Sequence, residues 1–142
     1  MKVIVDTCVW SVALRRKTTD PSSSVIITQL SELINDSLVQ MIGPIRQEIL
    51  SGIPSISQFN KLKERLASFE NVMINQEDYE LAAELYNTCR KNGIQGSNTD
   101  FLICAVAINH QFTIFTIDND FTHFATCLPI SLLPGFGHHR SY

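Results

Sequence analysis

The sequence predicts one α/β domain in which helices cover both faces of a short parallel sheet. Segments typical of strands alternate with segments typical of helices from one end of the chain to the other. The strand segments are continuous apolar runs rather than alternating ones, which is typical of parallel strands buried on both faces. A length of 142 residues suits one domain with its own core. We expect this domain to cover residues 1–134 and an unstructured tail, either native or a cloning remnant containing His138-His139, to cover 135–142.

The first half of the chain is predicted to begin with a strand at 2–5 that ends at Asp6. A helix follows, with an apolar face from Val9 to Leu14 and with Arg15-Arg16-Lys17 at its end. Pro and short polar side chains predict a loop at 18–24. Apolar residues then recur at helical spacing over about 25–35, and a second strand is expected at 38–42. Pro44 suits the first turn of the next helix, at 45–50.

The second half continues the alternation. The expected elements are a helix at 57–69, a strand at 72–74, a helix at 76–91, an apolar helix at 100–110, a strand at 112–117, a short helix at 119–126 and a last strand at 129–133. Asn92-Gly93 is a typical stop signal for the helix at 76–91. We find no internal repeat and no linker that would divide the chain.

Composition and hydropathy exclude several classes of protein. Apolar residues make up 44% of the chain and charged residues 18%, which is ordinary for a globular protein and excludes global disorder, collagen and a free coiled coil. The longest apolar run, Phe101–Ile108, is far shorter than the roughly 20 residues that a membrane-spanning helix needs. Asp6 interrupts the N-terminal apolar run too early for a signal peptide, so we expect a cytoplasmic protein without a membrane association.

The four cysteines lie at positions 8, 89, 104 and 127. No two of them form a CxxC pair, so the spacing predicts neither a zinc site nor a disulfide framework. We expect small core residues, as is usual for cysteines in the cytoplasm.

Acidic residues follow the predicted strands. Asp6 ends the first strand, Glu48 comes six residues after the second, and Asp118 ends the strand at 112–117. Asp100 opens the helix before that last strand. Because ligands of open α/β sheets bind at the carboxyl ends of the strands, we expect these four acids to lie at one edge of the sheet.

Each acid also has a purely structural interpretation. Asp6 could cap the helix that follows it, and Asp100 stands at capping-box spacing from Ser97. Glu48 could be a solvated helix residue, and Asp118 and Asp120 are suited to a turn. Taken together the acids indicate something else, since converging carboxylates repel one another unless a cation lies between them. Oxygen ligands are those that Mg²⁺ or Mn²⁺ prefers.

The net charge of −3 alone argues against binding to nucleic acid. Most of this charge comes from the proposed site, because the chain without Asp6, Glu48, Asp100, Asp118 and Asp120 has 11 basic and 9 acidic residues. Three basic clusters could contact phosphates, namely Arg15-Arg16-Lys17, Lys61-Lys63-Arg65 and Arg90-Lys91. The first and third could instead simply complement the dipoles of the helices that they end.

The order and spacing of these residues resemble the PIN-domain ribonucleases, and in particular the VapC-type toxins of toxin–antitoxin pairs. The likeness extends from Met1 to about Leu133 and is carried by Val3-Ile4-Val5-Asp6-Thr7, Glu48, Asn98-Thr99-Asp100-Phe101-Leu102-Ile103-Cys104-Ala105 and Thr116-Ile117-Asp118-Asn119-Asp120-Phe121. The resemblance implies a three-layer α/β/α sandwich around a short, mainly parallel sheet. It also implies an endoribonuclease that depends on Mg²⁺ or Mn²⁺, forms a homodimer, cleaves RNA and is neutralised by a cognate antitoxin.

The resemblance also assigns roles to single residues. The acidic quartet of the family corresponds to Asp6, Glu48, Asp100 and Asp118 as metal ligands and catalytic residues, with Asp120 as the alternative to Asp118. Thr116 corresponds to the hydroxyl-bearing residue that precedes the last acid. Cys8 departs from the pattern, since many relatives have a polar or small residue there.

Three other classes remain as alternatives. A phosphohydrolase of the haloacid-dehalogenase type also places an Asp after its first strand, but it requires a second Asp where this chain has Cys8. A receiver-like signalling domain requires an Asp at the end of the third strand, where this chain has Asn75. A non-catalytic module that binds RNA or protein could keep the acids without turning over a substrate.

Overall fold

A computed structural model describes residues 1–15 and 20–135 of the chain. Arg16 and Lys17, the first two residues of the loop predicted at 18–24, and nearly all of the tail predicted at 135–142, His138-His139 included, lie outside the described residues.

A three-stranded parallel sheet forms the centre of the fold. Its strands are β1 (Val3–Val5), β2 (Val39–Gln40) and β3 (Thr113–Phe115), in the order β2-β1-β3. Val3 pairs with Val39 on one side and with Thr113 on the other, and both pairings are parallel. All three residues of β1 are fully buried, as the continuous apolar run predicts.

The two outermost strands that the sequence predicts, at 72–74 and 129–133, do not form. Each segment instead makes one isolated parallel bridge to the sheet, between Met41 and Asn71 and between Ile114 and Leu132. The side chain of Met73 is 76% exposed, so its segment does not lie between two covered faces as a buried strand would. Pro129 has no amide hydrogen and cannot support a regular ladder. These predictions were wrong because an apolar run of three to five residues does not show whether both faces are covered.

Seven helices surround this sheet within the described part of the chain, which confirms the predicted three-layer α/β/α sandwich. They are α1 (Thr7–Leu14), α2 (Pro21–Asn35), α3 (Gly43–Leu50), α4 (Ile56–Leu66), α5 (Gln76–Lys91), α6 (Asn98–His110) and α7 (Asp120–Phe124). No helix among residues 1–15 and 20–135 combines the length and the apolar character needed to cross a membrane.

The start of α2 differs most from the prediction, because the helix begins at Pro21 rather than near residue 25. The Asp20 carboxylate accepts a hydrogen bond from the Ser22 amide at 3.2 Å, and Pro21 occupies the first helical position. Both features stabilise a helix N-terminus. The first turn is polar and largely exposed, so the apolar periodicity from which the helix was predicted begins one turn later.

Helix α6 is the buried helix of the sandwich. Its residues 101–107 are all buried, and it packs against α5 and β3. A helix that is apolar on every side suits only such a position. Because its N-terminus lies at the same edge of the sheet as the carboxyl ends of β1 and β3, α6 brings Asp100 to that edge.

Candidate active site

An open cleft of about 470 Å³ lies at the carboxyl ends of β1 and β3. The first turn of α1, helix α3, the start of α6 and the segment after β3 contribute its walls. The lining residues are Asp6, Thr7, Cys8, Pro44, Gln47, Glu48, Ser51, Asp100 and Asp118. All four acids that the sequence analysis expected at this edge are among them.

Asp6 is the most deeply buried acid of the cleft, with 6% of its surface exposed. Its Oδ1 accepts a hydrogen bond from the Thr7 amide at 2.8 Å, and its Oδ2 accepts from Thr116 Oγ1 at 2.8 Å and from Cys8 Sγ at 3.3 Å. Burial raises the pKa of Asp6, although these hydrogen bonds lower it, and the charge of Asp118 raises it further. The carboxylate is therefore held in one orientation, and no basic side chain among the described residues forms an ion pair with it.

Thr116 connects two of the acids. It is 1% exposed, and its hydroxyl donates to Asp6 Oδ2 while accepting a hydrogen bond from the Asp118 amide at 3.0 Å. The position of this residue directly after β3 makes both contacts possible. Thr116 therefore links the Asp6 carboxylate to the backbone of Asp118.

Three carboxylates converge more closely than the rest. Asp100, Asp118 and Asp120 each offer an oxygen that lies within 4.8 Å of the others. Asp118 Oδ1 also accepts a hydrogen bond from the Asp120 amide at 2.9 Å, which places Asp120 at the start of α7 beside it. The sequence analysis treated Asp118 and Asp120 as alternatives, whereas the structure brings both of them close to Asp100.

The first turn of α6 fixes Asp100. Its Oδ2 accepts a hydrogen bond from the Ser97 amide at 3.2 Å, and its own amide donates to Ser97 Oγ at 3.1 Å. Burial raises the pKa of Asp100 despite these bonds, and the charges of Asp6 and Asp118 add to the increase. The capping-box interpretation is therefore confirmed for Asp100, and the capped residue also lies close to the other acids.

The donor set fits a hard divalent cation. It consists of carboxylate oxygens, and none of these acids forms an ion pair with a basic side chain within the described ranges. Burial is the main reason that the pKa values of Asp6 and Asp100 are raised, and the charges of the neighbouring acids add to the increase; a bound cation would offset both effects. Mg²⁺ and Mn²⁺ prefer such ligands.

Glu48 approaches from the opposite wall of the cleft. It is an exposed residue of α3, and its Oε1 accepts a hydrogen bond from Thr7 Oγ1 at 2.6 Å. This contact holds Glu48 beside Asp6, the neighbour of Thr7. Gln47 and Ser51, also on this wall, were missed by the sequence analysis, although Ser51 lies one helical turn after Glu48 and shares its face.

A second cleft of about 440 Å³ shares helices α1 and α3 with the acidic one. Three cations border it, namely Arg15, Lys61 and Arg65, and none of them forms an ion pair with any described residue. Its other lining residues are Ser11, Leu14, Ile49, Ile53, Gln58 and Leu62. We call this feature the basic groove. Only Arg15 of the predicted cluster at 15–17 lies within the described ranges.

The environment of the cluster Arg90-Lys91 agrees with its structural interpretation as a complement to a helix dipole. Arg90 and Lys91 lie in the last turn of α5, where positive charge complements the helix dipole. The Arg90 guanidinium also lies over the ring of Tyr86, 5.6 Å from its centre. Neither residue lines the acidic cleft or the basic groove.

Comparison with known proteins agrees with this geometry. The family model described as PIN domain matches residues 3–126. No curated protein sequence matches the chain significantly. The family match confirms the resemblance drawn from the motifs, and leaves the haloacid-dehalogenase and receiver alternatives without support.

Solved structures share the fold at low sequence identity. The crystal structure of FitAcB from Neisseria gonorrhoeae aligns with a TM-score of 0.74 and 19% identity, covering 97% of this chain and 99% of the other. VapBC2 from Rickettsia felis, bound to a DNA fragment from its promoter, has a TM-score of 0.74 and 19% identity over 94% of this chain and 98% of the other. VapBC-1 from nontypeable Haemophilus influenzae has a TM-score of 0.69 and 16% identity, with coverages of 94% and 97%.

Proposed function

Because the chain belongs to the PIN domain family, we propose that it is a metal-dependent endoribonuclease that hydrolyses phosphodiester bonds of RNA. The observation that carries this proposal is the acidic cleft at the carboxyl edge of the sheet. In it Asp100, Asp118 and Asp120 present oxygens within 4.8 Å of one another, close to the buried Asp6. Neither a structural cap nor a solvated surface requires this arrangement.

Asp6, Asp100 and Asp118 would hold Mg²⁺ or Mn²⁺, with Asp120 and Glu48 as further ligands. Such an ion would lower the pKa of a bound water to near neutrality and would stabilise the charge that develops on the phosphate oxygens. Asp6 Oδ1 accepts one hydrogen bond from the protein and keeps a lone pair for a further contact, whereas Oδ2 accepts from both Thr116 and Cys8.

The remaining side chains of the cleft position these acids. Thr116 holds Asp6 and the Asp118 backbone together, and Thr7 holds one oxygen of Glu48. The other carboxylate oxygen of Glu48 is left to orient the water that attacks the phosphorus. The proposed products carry a 5′-phosphate and a 3′-hydroxyl, and the attack needs no 2′-hydroxyl.

The basic groove gives the substrate a place beside the acids. Thr7, Ser11 and Arg15 are spaced four residues apart on α1, so the groove extends about 12 Å from the acidic cleft along this helix. Arg15, Lys61 and Arg65 border it without acidic partners among the described residues. We propose that they bind backbone phosphates of the RNA strand whose scissile bond lies at the acids.

Product analysis on RNA with Mn²⁺, and with the metal chelated, tests the proposed reaction. We expect cleavage only with metal, 5′-phosphate ends, and continued cleavage when the ribose at the scissile bond is 2′-O-methylated. Cyclic phosphate ends together with loss of cleavage on methylation would show that the RNA 2′-hydroxyl is the nucleophile, and this mechanism would then be wrong. Metal-dependent RNA binding without cleavage would indicate the non-catalytic binding module.

Salt dependence of RNA binding tests the phosphate contacts. Replacing Arg65 by Gln should weaken binding to all sequences and reduce the slope of log affinity against log salt by about 0.7. Lys63 is the matched control, because it is an exposed cation of α4 that does not line the groove. Equal slopes for Arg65→Gln and Lys63→Gln would contradict a specific role for the groove.

We also propose, from the resemblance to VapC-type toxins, that the protein forms a homodimer and that a cognate antitoxin neutralises it. The structural neighbours named VapBC2 and VapBC-1 share the fold and support the antitoxin part of this proposal, whereas the homodimer rests on the resemblance alone. Addition of the cognate antitoxin should abolish RNA cleavage. A protein that cleaves equally well with and without this partner would exclude this part of the proposal.

A further inference from the structure

Two cysteines that are distant in the sequence lie in contact. Cys89 Sγ and Cys127 Sγ are 3.2 Å apart, although 38 residues separate them. Cys89 belongs to the last turn of α5, and Cys127 lies three residues after the end of α7. We propose that this pair is a modification site that forms a reversible intramolecular disulfide in exchange with a low-molecular-weight disulfide.

The backbone at both positions is fixed by hydrogen bonds. The Cys89 carbonyl accepts from the Ile94 amide at 2.8 Å and from the Asn92 amide at 3.0 Å, in the stop of α5. The Cys127 amide donates to the Phe124 carbonyl at 3.1 Å. The two thiols are therefore held side by side. A disulfide has an S–S length of about 2.05 Å, so about 1 Å of approach completes the bond.

The two thiols differ in their access to reagents. Cys89 is completely buried, and burial raises the pKa of its thiol to about 12. Cys127 is partly exposed, so a small disulfide in solution reaches Cys127 first. This asymmetry predicts the order of the reaction, with Cys127 as the entering nucleophile and Cys89 as the resolving thiol.

Oxidised glutathione is the proposed co-reactant. The Cys127 thiolate attacks one of its sulfurs, forms a mixed disulfide and releases one glutathione thiolate. Cys89 then loses its proton to that thiolate or to water and attacks the Cys127 sulfur, which releases the second glutathione. Two protein thiols are oxidised to one disulfide, and one glutathione disulfide is reduced to two thiols.

The cross-link would close a loop that contains three of the five acids discussed above. The segment between the two cysteines contains Asp100, Thr116, Asp118 and Asp120. Closing a loop of this length restricts the unfolded chain, and we expect Tm to rise by roughly 5–10 °C on oxidation. Neither sulfur lines the acidic cleft, so the oxidised and reduced proteins should bind Mn²⁺ with the same affinity.

The experiment equilibrates the folded, full-length chain with oxidised glutathione, then denatures it, alkylates the free thiols and maps the peptides. We expect two of the four thiols to be lost, a peptide pair linked through Cys89 and Cys127, and reversal by dithiothreitol. Cys104→Ala is the matched control, because Cys104 is a buried cysteine outside this pair, and this variant should lose the same two thiols.

Two variants make the outcome decisive. Cys127→Ser should keep all of its remaining thiols, and Cys89→Ser should retain one glutathione on Cys127. Because Cys127 is partly exposed, its replacement leaves the folded core intact, so this arm remains informative if Cys89→Ser fails to fold. Four alkylated thiols in the wild type after oxidation, or a bond between any other pair, would overturn the proposal and leave a packing contact.

Discussion

Asp78 and Asp100 occupy the same local position in two consecutive helices, and yet their environments differ. Each is the third residue of its helix, and each carboxylate accepts a hydrogen bond from the backbone amide of the capping residue, Asn75 or Ser97. At Asp78, burial raises the pKa, but the hydrogen bonds from Asn109 and Asn75 and the adjacent His110 lower it more, so the net pKa is lowered. At Asp100 the net pKa is raised.

The partners of the two carboxylates explain the difference. Asp78 Oδ1 accepts a hydrogen bond from Asn109 Nδ2 at 2.8 Å, and Asp78 Oδ2 lies 3.8 Å from His110 Nε2. Asp100 faces Asp118 and Asp120 instead. Asn109 and His110 lie at the end of α6, and Asp100 lies at its start. The partners of Asp78 are therefore about 14 Å from Asp100 along the axis of α6. One acid is satisfied by the fold, while the other remains available for a ligand.

The largest effect that would separate the two acids is on stability. Replacing Asp78 by Ala removes a helix cap and a charged hydrogen bond, and should lower the free energy of unfolding by about 2 kcal/mol. RNA cleavage per folded molecule should stay unchanged, because Asp78 contacts the end of α6 that is far from Asp100. Denaturant unfolding measures the first expectation and an active-site titration the second.

Glu77→Ala serves as the control for Asp78→Ala. Glu77 is the exposed neighbour of Asp78 in the same helical turn, and should change stability by about 0.5 kcal/mol or less. If both variants lost the same stability, the contacts at Asp78 would contribute nothing beyond the charge of the first turn. If Asp78→Ala abolished cleavage by folded protein, the division between the two ends of α6 would be wrong.

The next effect is on activity. Replacing Asp100 by Asn keeps the shape of the side chain but removes one charge from the proposed metal ligands, and we expect at least tenfold slower cleavage, which needs only about 1.4 kcal/mol of barrier. Thr116→Val should cost less, because Thr116 acts through Asp6. Cleavage rates at saturating Mn²⁺ provide the measurement. Cleavage by Asp100→Asn at the wild-type rate would exclude Asp100 as a metal ligand.

These two aspartates also show how far the sequence predicts the site. Ser97-x-x-Asp100 and Asn75-x-x-Asp78 have the same spacing, so local pattern does not distinguish the functional acid from the structural one. Asp100 differs from Asp78 because its helix is followed by a strand that ends in Asp118. In a parallel α/β sheet this order brings the two acids to the same edge of the sheet. The parallel sheet, the buried helix α6 and the gathering of acids in one cleft follow from such reasoning.

Other features depend on packing that no short segment encodes. Whether the segments at 72–74 and 129–133 continue the sheet depends on what covers their outer faces. Cys89 and Cys127 were expected to be separate core residues, and only the approach of α5 to the turn after α7 brings them together. Likewise, Asp118 and Asp120 both lie close to Asp100, because α7 begins directly beside Asp118.

Metal binding should affect the Asp78 and Asp100 variants differently. At a Mn²⁺ concentration of ten times Kd, binding to the folded state adds about 1.4 kcal/mol of stability. For a domain of this size that corresponds to an increase in Tm of about 3–6 °C. Asp78→Ala should show the same increase from its lower starting Tm, and Asp100→Asn should show little or none. Equal increases in all three proteins would place the metal outside the acidic cleft.

The response of stability to pH without metal is the smallest expected effect. It has opposite signs for Asp100 and Asp78. The raised pKa of Asp6 and of Asp100 means that the folded state takes up protons before the unfolded state does, so stability should increase as the pH falls from 7 through those pKa values. The lowered pKa of Asp78 acts in reverse. Its contribution is complete above the unfolded value of about 3.9 and disappears as the pH falls through the folded pKa.

Unfolding curves from pH 7 to pH 3, with the metal chelated, measure both responses. We expect stability to rise first and to fall below about pH 4, where the unfolded Asp titrates. Asp100→Asn should flatten the rise and keep the fall, whereas Asp78→Asn should keep the rise and reduce the fall. Mn²⁺ should remove the rise in the wild type, because a bound cation favours the ionised carboxylates. A rise that survives in Asp100→Asn at full size would mean that crowding of Asp100 with Asp6 and Asp118 does not govern the response.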